Sequence, residues 1–190
     1  DSVIPVPDSG CIAALELAKD LDLKSMVPMI LKNLGGLYHN MGYTSEAYRY
    51  YNESLPLFKN LKDTVAYADN LNKLGNIFFN VKNHDKALVY FLQAYELRVK
   101  VKAHSFYLGE SMSTIGKVYY HRENYKVALD YYYQALDKFT RVNRITHQFG
   151  VYLAISELMK STGDYAKAIY YCKKAEELND KLNAGGHFGA

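Results

Sequence analysis

The sequence predicts an all-α solenoid in which antiparallel helix pairs stack on one another. One pattern occurs four times, because Gly35, Gly75, Gly116 and Ser156 align at spacings of 40, 41 and 40 residues. Apolar residues recur four and one positions before this anchor column and three positions after it, within one narrow arc of a helix. A second apolar stripe follows in each repeat. A helix pair with such faces cannot bury them alone, so we expect neighbouring repeats to close the core.

The two stripes define the two helices of each repeat. The first carries Leu31, Leu34 and Tyr38 in repeat one, Leu71, Leu74 and Phe78 in repeat two, Met112, Ile115 and Tyr119 in repeat three, and Tyr152, Ile155 and Met159 in repeat four. The second helix of each repeat carries a small, a large and a small residue at fixed positions. These residues are Ala47, Tyr51 and Ser54 in repeat one, Ala87, Phe91 and Ala94 in repeat two, Ala128, Tyr132 and Ala135 in repeat three, and Ala168, Cys172 and Ala175 in repeat four. Small residues let the second helix approach its neighbours while the large one fills the space between them.

These residues carry a family resemblance. The Leu-Gly-x-x-Tyr/Phe step followed by Ala-x-x-x-Tyr/Phe-x-x-Ala resembles the tetratricopeptide repeat, with its period extended from about 34 residues towards 40. Repeat four departs from the pattern at Ser156, where glycine is usual, and at Cys172, where an aromatic residue is usual, and no proline follows the second helices. The resemblance implies a right-handed superhelix whose concave groove binds peptides.

The chain divides into four predicted segments. Residues 1–7 are extended because of their prolines, residues 25–182 form four helix pairs, and residues 183–190 form a flexible tail. Residues 8–24 match the second helix of a preceding repeat whose first helix is absent, which predicts that the chain is part of a longer array. The helices of the four pairs are predicted at 27–41, 44–61, 64–82, 84–102, 105–123, 125–142, 145–162 and 165–182.

Helix ends and one interruption also follow from the residues. Pro56 removes a hydrogen bond inside a helix, which predicts a kink or an early end there. N-caps are expected where short polar side chains precede the helices. The candidates are Asp8 or Ser9, Thr44 or Ser45, Asp63, Asn83, Ser105, Asn124, Thr146 and Asp164.

Composition excludes several classes of protein. A net charge of +3 is too small to indicate a nucleic-acid partner, and no apolar run approaches the length of a membrane span. No signal peptide is visible, so we expect a cytoplasmic location. Cys11 and Cys172 fall at opposite ends of the array and are predicted to be free thiols.

The sequence contains no enzyme signature. Six scattered histidines form no His-Glu-x-x-His motif, and there is no Cys-x-x-Cys pair or phosphate-binding loop. We therefore predict no catalytic activity, no cofactor and no metal site. Tyr50, Tyr90, Tyr131 and Tyr171 form a column one residue before the buried aromatic column. Packing between successive second helices, with the hydroxyl groups reaching solvent, is favoured over base stacking for them because the surface is not strongly basic.

The candidate binding face lies opposite the first buried stripe. In repeat two it presents Asp69, Asn72, Asn76 and Asn80, together with Phe79 as an apolar anchor. Asparagine is a poor helix former, so a compensating role is expected. Amides can hold a ligand backbone, which is the functional interpretation, whereas solvation of the face or bridging between helices is the structural one.

The same face extends to the other repeats. The candidates there are Lys32, His39 and Asn40 in repeat one, Ser113, Lys117, Tyr120 and His121 in repeat three, and Glu157 in repeat four. The carboxylate clamp of the chaperone-binding members of the family is not predicted, because Ser113 and Thr114 stand where that clamp has basic residues.

Two functions remain open at this point. The first is a non-catalytic interaction module that binds a peptide or helical segment of another protein in the groove. The second is the sensory region of a larger bacterial signalling or transcription regulator, which arrays with 40-residue repeats resemble. Self-association through the end helices is a further possibility.

Overall fold

The computed structural model describes residues 9–185, which form nine α-helices and no strand. This confirms the predicted all-α class. Residues 1–8 and 186–190 lie outside the described residues, and they include the whole predicted extended segment 1–7 and the last five residues of the predicted tail. The helices are α1 Ser9–Asp20, α2 Met26–Asn40, α3 Thr44–Asn60, α4 Thr64–Asn80, α5 His84–Lys100, α6 Ser105–His121, α7 Tyr125–Arg141, α8 Ile145–Ser161 and α9 Tyr165–Gly185.

The chain divides into two compact units, and the boundary falls within α5. Unit 1 is Asp1–Leu97 and unit 2 is Arg98–Ala190. In unit 1, α1 packs against α2, α2 against α3 and α3 against α4. In unit 2, α6 packs against α7, α7 against α8 and α8 against α9. Each unit is therefore built around helix pairs of the predicted kind.

The predicted core columns are the core. Their members are buried except Phe78, Tyr119, Tyr152 and Cys172, which are half-buried. The anchor glycines allow the large residue of the second helix to approach the first helix. A Cβ atom on Gly35 would lie 2.7 Å from Cδ1 of Tyr51, and one on Gly75 would lie 2.6 Å from Cε1 of Phe91. Glycine is thus required in these repeats by an aromatic ring lying against the helix backbone.

Repeat four uses a different solution at the same place. Its anchor is Ser156, whose hydroxyl donates a 2.7 Å hydrogen bond to the carbonyl oxygen of Ala168. The facing residue is Cys172, which is smaller than the aromatic residues of the other repeats. The two departures from the family pattern therefore occur at facing positions, where the smaller side chain makes room for the serine.

The tyrosine column packs, but its ring stacks lie within each repeat and not between successive second helices as predicted. Tyr50 stacks on Tyr38 with ring centroids 5.3 Å apart, and Tyr90 stacks on Phe78 at 5.4 Å. The Tyr131 ring likewise stacks on Tyr119 at 5.7 Å. In repeat four the stacking partner of Tyr171 is Tyr152, at 6.2 Å, because Met159 occupies the position that is aromatic elsewhere. Each stack joins the two helices of one repeat, a contribution of about 0.5–1.5 kcal/mol beyond burial.

Buried polar residues connect successive helices. Asn70 is fully buried on α4, and its side-chain amide donates to the carbonyl oxygen of Tyr51 and to the hydroxyl of Ser54 on α3. Ser111 on α6 stands at the same repeat position as Asn70 and accepts a 2.7 Å hydrogen bond from Nη1 of Arg98. Buried polar groups without partners are costly, so these bonds specify how the helices meet.

Four of the predicted N-caps are confirmed. Asp63, Asn83, Asn124 and Asp164 each accept a hydrogen bond from a backbone N–H three residues later. The side chain of Lys167 also donates to Asp164 and lowers the pKa of that carboxyl group.

The other cap predictions need correction or stay open. The caps of α3, α6 and α8 are Tyr43, His104 and Arg144 rather than Thr44 or Ser45, Ser105 and Thr146. His104 satisfies an amide of the first turn through Nδ1, which explains why Ser105 is not needed. Of the two candidates for α1, Asp8 lies outside the described residues and Ser9 is already helical.

Of the two outcomes predicted for Pro56, the early helix end is wrong, because α3 continues to Asn60, and the kink stays a prediction. The carbonyl that Pro56 cannot satisfy belongs to Asn52, and both residues are exposed, so water can hydrogen-bond that carbonyl. Residues 183–185 of the predicted tail are helical, because α9 extends to Gly185. Cys11 and Cys172 are free thiols, as predicted.

The buried tyrosines predict a loss of stability in alkali. Burial raises the pKa of Tyr51 to about 12, whereas an unfolded tyrosine ionises near about 10. Below about pH 10 Tyr51 is neutral in both the folded and the unfolded chain. Above about pH 10 it ionises first in the unfolded chain. We therefore expect the free energy of unfolding, measured in urea, to be constant up to about pH 10 and to fall between about 10 and 12. The free energy of unfolding of Tyr51→Phe should fall less steeply over this pH range. An identical slope for the two chains would show that Tyr51 is not the origin of the loss.

Candidate functional site

A groove of about 610 Å³ lies between α6 and α8 in unit 2, and we call it the α6–α8 groove. Its floor consists of the buried rings of Tyr132 and Phe139 from α7. The α6 wall consists of Glu110, Ser113, Thr114, Lys117, Tyr120 and His121. The α8 wall consists of Thr146, His147, Gly150, Val151, Ala154 and Glu157. The floor is apolar and the walls carry hydroxyl, carboxylate, ammonium and imidazole groups.

The groove has no dominant charge. Glu110 and Glu157 are acidic, and Lys117 is basic. Glu157 also lies 3.5 Å from Nζ of Lys160. Burial, with a smaller contribution from neighbouring Tyr120, raises the pKa of Tyr132, so the floor is neutral at physiological pH. Shape and hydrogen bonding, rather than net charge, would select a ligand here.

A smaller pocket of about 360 Å³ lies between α2 and α4 in unit 1, and we call it the α2–α4 pocket. Its floor is Tyr51, which stands at the repeat position of Tyr132. The remaining lining residues are Lys32, Asn33, Gly36, Leu37, Asn40 and Lys73. The chain thus places a cavity at the same repeat position in both units.

Both units have the same kind of polar contact between neighbouring first helices. In unit 1, the side-chain amide of Asn80 lies 3.4 Å from Nε2 of His39. In unit 2, the hydroxyls of Tyr120 and Ser161 lie 2.9 Å apart, at the same two repeat positions. This contact therefore bridges successive first helices, which is the structural alternative considered for Asn80.

The comparison with protein families decides the identity of the fold. One model of the tetratricopeptide repeat matches residues 26–100 and 66–141, and another matches residues 149–182. The chain belongs to the tetratricopeptide repeat family. None of the curated proteins matches it in sequence.

Solved structures show the same tetratricopeptide solenoid. BtubC from P. vanneervenii is 18% identical with a TM-score of 0.77, over 84% of this chain and 66% of BtubC. A signal transduction ATPase with a tetratricopeptide repeat sensor from Pyrococcus horikoshii is 19% identical with a TM-score of 0.80, over 93% of this chain and 27% of that one. A Rap protein in complex with competence and sporulation factor is 16% identical with a TM-score of 0.74, over 92% of this chain and 50% of the Rap protein.

These likenesses confirm the predicted solenoid fold class and show the fold alone. The chain spans less than two thirds of the length of each of the three proteins. Within residues 9–185, no helix combines the length and the apolar character needed to cross a membrane. The same residues contain no group of three or more histidine, cysteine, aspartate or glutamate side chains arranged to hold a metal ion.

The tetratricopeptide array brings part of the predicted binding face together. Ser113, Lys117, Tyr120, His121 and Glu157 all line the α6–α8 groove. The Tyr120 ring packs near Tyr125 and His121 at the end of this groove. This set was predicted from repeat position alone.

The predicted residues of repeats one and two are distributed differently. Lys32 and Asn40 line the α2–α4 pocket, while His39 is in contact with Asn80. Asp69, Asn72, Asn76 and Phe79 lie on α4 and line neither of the two cavities. The ring of Phe79 packs against His84, with centroids 5.2 Å apart. A binding role for these α4 residues remains a prediction.

Sequence reasoning missed most of the α8 wall and the floor of the groove. Thr146, His147, Val151 and Ala154 come from the first helix of the following repeat, at positions before its anchor Ser156. The sequence pattern assigns Tyr132 to packing alone and does not single out Phe139. The available signal was the small residue at position 154, where repeat two has Lys73, because a small residue beside a groove leaves space for a ligand.

Proposed function

We propose that this chain is a non-catalytic interaction module that binds a peptide or short helical segment of another protein in the α6–α8 groove. The observation that carries the proposal is the apolar floor of Tyr132 and Phe139, enclosed by two walls rich in hydrogen-bonding groups. A ligand backbone needs partners for its amides and carbonyls, while its side chains gain free energy from an apolar floor.

The groove supports this function better than a nucleic-acid-binding one. Its titratable groups carry both signs of charge, and Lys117 is its single ammonium group among the described lining residues. A nucleic-acid surface would require a basic stripe along the backbone of the ligand. Membership of the tetratricopeptide family, whose fold generally serves as an interaction scaffold, agrees with a protein partner.

The proposal predicts that blocking the groove abolishes peptide capture. Peptides would be selected from a random library on the immobilised chain, and their affinities measured by isothermal titration calorimetry. We expect Ala154→Arg to weaken binding about tenfold or more, because the side chain would fill the space above the floor. Leu153→Arg is the control, since Leu153 is exposed on α8 and does not line the groove. Equal binding by both variants, or no selectable peptide, would reject the proposal.

A second candidate is a regulatory role as the sensory region of a larger bacterial signalling or transcription regulator. The supporting observation is the fold likeness to a tetratricopeptide repeat sensor and to a Rap protein in complex with a signalling factor. The sequence of the complete gene tests this role, which requires a further output domain. A cytoplasmic location and self-association through the end helices also remain predictions, and sedimentation velocity would test the latter.

A further inference from the structure

The two cavities can be compared position by position because they occupy the same place in the repeat. Ser113 on the α6 wall corresponds to Lys32 in unit 1, three residues before the anchor. Ala154 on the α8 wall corresponds to Lys73, two residues before the anchor of the next repeat. Two lysines in unit 1 are thus replaced by two small residues in unit 2. Gly150 similarly replaces an aspartate, Asp69.

Two lysines line the cavity of unit 1. Nζ of Lys32 lies over the ring of Phe58, 5.8 Å from its centroid, and Phe58 is the counterpart of Phe139. Lys73 lines the same pocket from α4. The floor of this pocket is consequently Tyr51 alone, and its volume is about 360 Å³. Long lysine stems cover apolar surface in this way while their charged ends remain in water.

The corresponding space is open in unit 2. Ser113 is shorter than Lys32, and the volume of the groove is about 610 Å³. Tyr132 and Phe139 both line this groove, although the rings are only 3% and 1% exposed and Phe139 also packs against His147 with ring centroids 5.0 Å apart. A Cβ atom added to Gly150 would find no atom within 4 Å, which confirms that this wall faces open space. Val151 and Ala154 add apolar surface beside the two rings.

We infer that the α6–α8 groove holds one bulky apolar side chain of its peptide ligand, preferably an aromatic one, and that Ser113, Gly150 and Ala154 are the residues that determine this specificity. The inference rests on the proposed function and adds the class of residue that is recognised. The lining charges have both signs, so they do not select a charged anchor. An aromatic side chain in the groove gains free energy from the burial of its apolar surface, and Tyr132, Val151 and Ala154 line the space that it would occupy.

A single-residue probe tests the anchor pocket without knowledge of the natural ligand. The chain contains no tryptophan, so the emission of N-acetyl-L-tryptophanamide can be followed at the red edge of its absorption with little background. We expect a saturable blue shift of this emission with a millimolar Kd. N-acetyl-L-phenylalaninamide should displace the probe, whereas N-acetyl-L-glutaminamide should compete about tenfold or more weakly.

Exchanging lining residues between the two cavities tests whether the probe binds in the α6–α8 groove. Ser113→Lys with Ala154→Lys gives the groove the lining of unit 1, and we expect it to weaken probe binding about tenfold or more. Leu153→Lys, on the same helix but outside the groove, is the matched control and should bind the probe as the original chain does. The reciprocal change, Lys32→Ser with Lys73→Ala, should open a second site and raise the stoichiometry from one to two.

The outcomes separate this inference from the proposed function. The inference is overturned if no blue shift occurs, if the glutaminamide competes as well as the phenylalaninamide, or if the Ser113→Lys, Ala154→Lys chain binds the probe unchanged while its circular dichroism melting curve shows that it is folded. Library peptides that bind in the groove but share no bulky apolar residue would also overturn it while leaving the proposed function intact. Probe binding without any peptide binding would instead support the pocket and reject the proposed function.

Discussion

Gly35→Ala is expected to destabilise the chain by about 1–3 kcal/mol relative to Gly36→Ala, although the two glycines are neighbours on α2. The new methyl group at position 35 would lie 2.7 Å from Cδ1 of Tyr51, a ring that is 1% exposed and cannot withdraw. At position 36 the nearest atom is the Tyr51 hydroxyl oxygen at 3.6 Å, which is an ordinary contact. Both variants gain the same helix propensity, so the difference in their urea midpoints measures the clash.

The origin of this effect can be checked with a double mutant. Tyr51→Leu should remove part of the clash. The loss of unfolding free energy that Tyr51→Leu causes should therefore be smaller in the Gly35→Ala chain than in the original chain. Repeat four already shows such an exchange, with Ser156 facing the smaller Cys172. Equal stability of Gly35→Ala and Gly36→Ala would show that the aromatic ring does not require the glycine.

Asn70→Ala is expected to lower the free energy of unfolding by about 1–3 kcal/mol, because it removes two buried hydrogen bonds between α4 and α3 and leaves a cavity. Asn76→Ala is the matched control, since it makes the same chemical change at an exposed position of the same helix. There alanine is the better helix former, so stability should be unchanged or slightly raised. Thermal and urea unfolding of both variants check the prediction, and a destabilised Asn76→Ala would place that residue in the structural framework.

The same helix provides the test of the amide face. Asn72→Ala combined with Asn76→Ala should weaken the capture of a peptide ligand while leaving the melting temperature unchanged or raised, if these amides contact a partner. A large loss of stability would assign them to structure, as the contacts of Asn70 already do for that residue. The comparison matters because all three asparagines carry the same propensity cost and only their positions differ.

Much of the fold was predictable because burial follows repeat position. The spacing of 40, 41 and 40 residues placed the buried columns correctly, and the short polar residues Asp63, Asn83, Asn124 and Asp164 marked four helix starts. Local rules failed where a residue could satisfy the backbone in an unexpected way. Water can satisfy the carbonyl of Asn52 that Pro56 leaves free, and His104 caps α6 through its ring nitrogen.

The candidate site was predictable only in part, because a groove between repeats has walls from two first helices and a floor from a third element. Repeat position identified Ser113, Lys117, Tyr120 and His121 on one wall and Glu157 on the other. It did not identify Ala154, because an alanine becomes significant only when the opposite wall and the floor are in place. It also did not distinguish buried Asn70 from exposed Asn76, which lie on different faces of the same helix.

The sequence by itself determined the family, the class of fold and the positions of the helix faces, since these depend on periodicities that a single chain displays. Only the tertiary structure decided which polar residues support the helices and where the chain has space for a ligand. Hydrogen-bond partners and cavity volumes depend on side chains that are distant in sequence and meet only after folding. The difference between the smaller pocket that Lys32 and Lys73 line and the larger groove that Ser113 and Ala154 line is of this kind.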